Sequence, residues 1–211
     1  MRAGAAPAAA LAVALLAAGC AEMLRPPPPE PPGPLTGGVV LQPNLAILDA
    51  AARRFGGEGL PAGQPAEVAL AVARLEWLGS ATAPGGPLAG VPGSDGFALA
   101  LAIEESRAAF GIAREATPQQ TVAALLAARA ALLAGDRAAA ERALAPPAFR
   151  AARPPPLDRL AEPPPLPVAA QALPALAAVV DREAAGRDIG PTGLIDQNAA
   201  TGAGLGVPQI R

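Results

Sequence analysis

The side chains that usually carry chemistry are nearly all missing from this chain. It has no His, no Tyr and no Lys, and its single cysteine is Cys20. Without imidazole, neither a Ser-His-Asp nor a Cys-His nucleophile can be assembled. A zinc site wants His or Cys ligands, and a phosphate-binding loop of the Gly-rich type ends in a lysine that this chain lacks. Carboxylates remain, so the one enzymatic mechanism open to the chain is a glycosidase-like pair of acids. Glu104 and Glu105 are the foremost candidates, with Asp95 or Asp136 as more distant partners. Adjacent residues on a helix point about 100° apart, so Glu104 and Glu105 cannot both face one substrate bond. No loop places carboxylates at alternate positions as a calcium site does. The expectation is no catalytic residue, no metal site and no cofactor.

Cys20 has a different kind of context. Met1 and Arg2 make a short positive start, and residues 8–18 are an uninterrupted apolar run. That run suits a signal peptide and is short of the ~20 residues a membrane span needs. Prolines at positions 26–29 prevent its extension as a helix. It ends in Leu15-Leu16-Ala17-Ala18-Gly19-Cys20, which resembles the lipobox of bacterial lipoproteins. The family usually has Leu three residues before the cysteine, where this chain has Ala17 and carries Leu16 one place earlier. The alternative is an ordinary secretory cut near Ala17 that leaves Cys20 as a bare thiol. The resemblance implies a signal peptide over residues 1–19, a diacylglyceryl thioether on Cys20, and an acylated (palmitate-type) new N-terminus. Several acyl chains together anchor a protein stably where one does not. Ala21, in place of the Asp that favours inner-membrane retention, points by the same family logic to the periplasmic face of the outer membrane.

Two further resemblances are local. Glu104-Glu105-Ser106 resembles the Glu-Ser of lytic transglycosylases that cut peptidoglycan, and residues 202–210 resemble that family's Gly-Leu-Met-Gln segment. The family keeps the two a dozen or so residues apart, whereas here the second lies in the C-terminal tail. The competing reading leaves both glutamates facing solvent, with Glu104 beside Arg107 or Ala108 one turn on.

The elements that would position these residues read as helices. Removing residues 1–19 leaves 192 of 211 residues, enough for one domain with a core. It also removes Arg2, so 15 arginines face 18 acidic side chains, a net charge of −3. There is no basic patch, and nucleic acid is not an expected partner. Residues 20–43 are rich in proline and read as a polyproline II tether. Asn44 then caps a helix with Leu45, Leu48, Ala52 and Phe55 on one stripe, stopped by Gly56-Gly57. A second helix starts near Pro65 and carries Val68, Val72, Leu75 and Leu78, with Trp77 beside that stripe, before Gly79. Ser94 or Asp95 caps a third, with Phe97, Leu101, Ile103 and Phe110 as its apolar set.

Thr117-Pro118-Gln119-Gln120 is a capping box with proline at the first helical position. Val122, Leu125, Leu126, Leu132 and Leu133 follow, Gly135 ends the helix, and Asp136 caps a short one through Leu144. This αα-hairpin resembles one tetratricopeptide-type unit, through Leu133-Ala134-Gly135-Asp136 and the small residues Ala139, Ala140 and Ala143. A solenoid needs about three units, and one hairpin within a bundle is the favoured reading. Residues 146–167 form a second proline-rich stretch, read as a strap held by Phe149, Leu157 and Leu160, with a polyproline ligand as the alternative. Residues 168–185 read as a helix interrupted at Pro174 and ended by Gly186, and residues 187–211 as a disordered tail.

The chain is therefore expected to be all-α, a small bundle of about five helices over residues 44–186. The expected function is that of a membrane-anchored envelope lipoprotein, structural or adaptor-like, with a protein partner. A peptidoglycan-acting enzyme using carboxylates and a tetratricopeptide-like assembly factor are the alternatives.

Overall fold

A computed structural model describes residues 30–39 and 41–188. Eight α-helices and one π-helical turn build an all-α bundle over these residues. The helices are α1 (Gly33–Thr36), α2 (Pro43–Arg53), α3 (Pro65–Ala81), α4 (Gly93–Phe110), α5 (Pro118–Leu133), α6 (Arg137–Ala143), α7 (Pro156–Ala161) and α8 (Pro167–Asp188). The π turn, Arg54–Glu58, continues α2. Five of the helices are long; α1, α6 and α7 are of one or two turns. The transglycosylase-like segment at 202–210, the lipobox and Cys20 lie outside the described residues.

The compact unit begins at Pro31, earlier than the boundary at residue 43 expected from proline content. The reason is Leu35, which is fully buried and whose carbonyl accepts a 2.8 Å hydrogen bond from Arg74 Nε. One apolar side chain with one long-range hydrogen bond is enough to draw this end of the proline-rich segment onto the bundle. At the other end α8 runs through Gly186 to Asp188, so the glycine does not stop it.

Helix α3 is the centre of the fold. It is apolar over most of its circumference, with Glu67 and Arg74 on one partly exposed face, and a helix of that kind belongs largely inside. Residues 68–73, 75–78 and 81 are all buried, and α5 is its most extensive neighbour, with α1, α2, α4 and α7 also against it. Trp77 is buried, and its indole N–H donates to Asn44 Oδ1 at 2.8 Å. Asn44 is therefore not a cap. The N-cap of α2 is Gln42, with Pro43 in the first helical position, and the Asn44 carboxamide satisfies the indole.

Gly56 and Gly57 do not end α2 as expected; they lie within the π turn, which closes at Gly59 with φ of 72°. Gly56 is required by α8. A Cβ there would meet the Pro174 ring and the Ala170 carbonyl. Pro174 lacks the amide that would bond to Ala170 one turn earlier, and α8 brings this interrupted turn against bare backbone.

Helix α4 differs most from expectation. Its cap is Pro92, and neither Ser94 nor Asp95 makes a capping bond. Its buried face is Leu99, Ala102, Ser106 and Phe110, while Phe97 is 66% exposed and Leu101 is exposed too. Apolar residues fill every position from 97 to 103, so periodicity does not choose a face and packing against α8, α3 and α7 does.

The capping box at Thr117 forms as expected: Thr117 Oγ1 accepts from the Gln120 amide, and Gln120 Oε1 accepts from the Thr117 amide at 2.9 Å. Val122 and Leu125 are buried, whereas Leu133 is exposed. Gly135 takes a φ of 76°, and Asp136 accepts from the Ala139 amide at 2.8 Å to start α6. After α6 the chain enters the proline-rich strap rather than another hairpin. Phe149, Leu157 and Leu160 are buried beneath it, as expected. The strap is also tied by backbone: Ala113 N–H donates to Ala148 and Arg150 N–H to Gly111, and Gly63 N–H to Ala161. Arg159 donates to the Ala109 carbonyl at 3.0 Å, meeting the last turn of α4 with positive charge.

Candidate functional site

Of the three charged residues of helix α3, Glu67, Arg74 and Glu76, only Glu76 is fully buried, its side chain 1% exposed. Burying a carboxylate without a partner is costly, so its partner matters. Arg107 from α4 donates through Nε to Glu76 Oε1 at 2.8 Å and through Nη2 to Oε2 at 2.7 Å. This is the two-bond arrangement that suits a planar guanidinium. A third bond runs from Nη1 to the Ala116 carbonyl at 3.2 Å. Donating to the Glu76 carboxylate holds the Arg107 guanidinium above its ordinary pKa, burial opposes it, and the charges of Glu76 and Glu104 add to the rise. Sequence reading placed Arg107 beside Glu104; the structure gives it to Glu76, 31 positions away. A Glu flanked by Leu75 and Trp77 and one turn from Val72 was the available signal, since a charge on the apolar side of a helix demands a partner.

Arg107 divides two recesses along α4. One, of about 450 Å³, is lined by Glu104, Arg107, Ala108, Ile112, Arg114 and Arg150. The other, of about 460 Å³, is lined on the same helix by Leu99, Ile103, Glu104 and Arg107 and floored by Gly79. A Cβ at Gly79 would meet Ile103 Cδ1, so the glycine lets α4 approach. Arg114 and Arg150 are exposed and make no ion pair among the described residues. With Arg107 matched by Glu76, the first recess carries two further arginines against one carboxylate. One half of the cleft is thus cationic and the other apolar.

The two suspect glutamates have separate positions. Glu104 is exposed on the rim of both recesses. Glu105 turns to α8, where its two oxygens accept the Val168 and Ala169 amides at 3.2 and 3.0 Å. These are the second and third residues of α8, whose own flanking residue Leu166 has no side-chain acceptor. Glu105 is therefore a helix cap supplied from another helix, with its negative charge at the favourable end of the dipole. Asp136 caps α6, and Asp95 lies in the first turn of α4. The structure brings none of these four carboxylates into a hydrogen bond with another. Among the described residues, no three His, Cys, Asp or Glu side chains come together as metal ligands do. No described helix is long and apolar enough to cross a membrane.

The fold and the cleft define a small α-helical bundle with an amphipathic, arginine-lined groove. No family model, no curated protein and no solved structure matches the chain.

Proposed function

We propose that the mature chain, lipidated at Cys20, is an envelope adaptor at the periplasmic face of the outer membrane, which works by binding a protein partner. The observation that carries the binding reading is the cleft along α4. Arg107 is immobilised by Glu76, so Arg114 and Arg150 form an exposed cationic end beside an apolar floor of Leu99 and Ile103. A groove of that kind suits a peptide segment with apolar side chains followed by a carboxylate. The use of Glu105 as a helix cap supports the same reading, because both oxygens already accept backbone amides.

The anchor rests on the lipobox-like sequence. Its test is the mass of the N-terminal peptide, which should carry acyl chains on Cys20; a soluble product unchanged by Cys20→Ala refutes it. The binding reading is tested by restoring variants to cells that lack the protein. Arg114→Glu/Arg150→Glu should fail to complement while Glu104→Gln complements. The reverse pattern refutes a binding module and returns attention to carboxylate chemistry.

A further inference from the structure

The segment between α1 and α2 exposes what a water-facing turn avoids. Val39 is 46% and Leu41 85% exposed, two large apolar residues where connecting segments favour Gly, Asn, Asp or Ser. The segment ends on strained backbone. Gln42 has a φ of +51° and is the one non-glycine residue with positive φ among the described residues. Such a conformation persists only where its surroundings impose it, and it is more frequent at functional segments than elsewhere.

The company of this tip is cationic. Arg53 and Arg74 share a recess with Val39 and Leu41, together with the carboxylate of Asp49. Arg53 is exposed and makes no ion pair among the described residues. Arg74 is fixed to the Leu35 carbonyl. Burial holds its guanidinium below the ordinary arginine range; the charge of Glu67 opposes this, and those of Arg129, Arg53 and Arg54 add to it. Glu67 and Glu58 are engaged by Arg129 at 3.5 Å and Arg54 at 3.0 Å, which leaves Asp49 against the two arginines of the recess.

We propose that Val39 and Leu41 form an interfacial foot that enters the headgroup–acyl boundary of the bilayer, and that the exposed Arg53, with the half-buried Arg74 behind it, meets its anionic phospholipid headgroups. The inference rests on the lipid-anchor reading for the presence of a membrane. Eleven positions separate Cys20 from Pro31, which at ~3.6 Å each span at most about 40 Å, and the foot follows directly on the first helix after that spacer. Exposed apolar side chains beside an excess of arginine, here Arg53 and Arg74 against Asp49, are what an interface binds. The foot would set the orientation of the bundle, which an acyl chain alone leaves open.

The test uses the mature chain, residues 20–211, coupled through its only thiol to a maleimide-headgroup lipid in phosphatidylglycerol vesicles. The anchor is then supplied whether or not cells lipidate Cys20, so this result and the acyl-mass result fail independently. Leu41→Trp is compared with Phe97→Trp, which marks an exposed position on α4; Trp77 is buried and common to both. Leu41→Trp should shift its emission to the blue and lose intensity to brominated acyl chains, while Phe97→Trp stays water-like. Adding Arg53→Glu should weaken the quenching at Leu41→Trp. Val39→Trp gives the same readout should Leu41→Trp lower the helical circular dichroism. Equal quenching at positions 39, 41 and 97 overturns the proposal. So does a blue shift at Leu41→Trp that grows with protein concentration without vesicles, which would assign the tip to a second copy.

Discussion

Breaking the Glu76–Arg107 pair from one side should be the most destabilising change among the charged residues. Glu76→Leu removes a carboxylate that is 1% exposed and leaves Arg107, whose side chain is 17% exposed, with two backbone carbonyls, Ala116 at 3.2 Å and Arg114 at 3.5 Å, and no carboxylate hydrogen bond. Removing one partner of a buried pair costs about 3–5 kcal/mol, because the remaining charge stays desolvated and uncompensated. For a domain of this size each kcal/mol moves the melting point by about 2–4 °C, so a fall of roughly 6–20 °C is expected. The double change Glu76→Leu/Arg107→Leu should recover most of that loss, since well-packed apolar replacements of a buried pair are often neutral or better. Urea unfolding followed by Trp77 fluorescence and by circular dichroism gives both quantities, with Trp77 buried beside the substitution. Coincident transitions license the two-state treatment. A double variant no more stable than Glu76→Leu alone would refute the argument, as would a single-site loss under about 1 kcal/mol.

Other outcomes follow from the same packing. Glu105→Gln should cost about 0.5–1.5 kcal/mol by weakening the cap of α8, read as a lower urea midpoint and faster amide exchange at Val168 and Ala169. Leu125→Ala should cost roughly 2–5 kcal/mol because Leu125 is fully buried, whereas Leu133→Ala, at an exposed site, should stay within about 0.5 kcal/mol in the same titration. Gly56→Ala should lower the melting temperature by an overpacking penalty of about 1–3 kcal/mol where α8 crosses the π turn; an unchanged melt would mean that Pro174 and Ala170 shift aside freely.

Signals confined to a few consecutive residues were legible in advance. The Thr117 capping box, the Gly135 turn and the Asp136 cap depend on backbone groups within three or four positions, and they form as the local rules require. The strap over Phe149, Leu157 and Leu160 was legible too, because proline excludes a long helix there while isolated large apolar residues still need burial. Absence of His, Lys and Tyr likewise belongs to the sequence alone, and it narrows the available chemistry without any fold.

Which face of a helix turns inward was not legible wherever alanine and leucine surround it. In α4 the run from Phe97 to Ile103 has no polar side from which to read a direction, and contact with α8 left Phe97 outside and Leu99 inside. Asn44 and Glu105 resembled a local cap and a surface charge. Instead they serve Trp77, 33 positions away, and Val168 and Ala169, more than 60 positions away. The cleft is of the same kind, for Glu76, Arg107 and Arg150 come from α3, α4 and the strap. Only tertiary packing decides such matters, because a side chain takes the partner that desolvation forces upon it, and that partner is set by which helices touch.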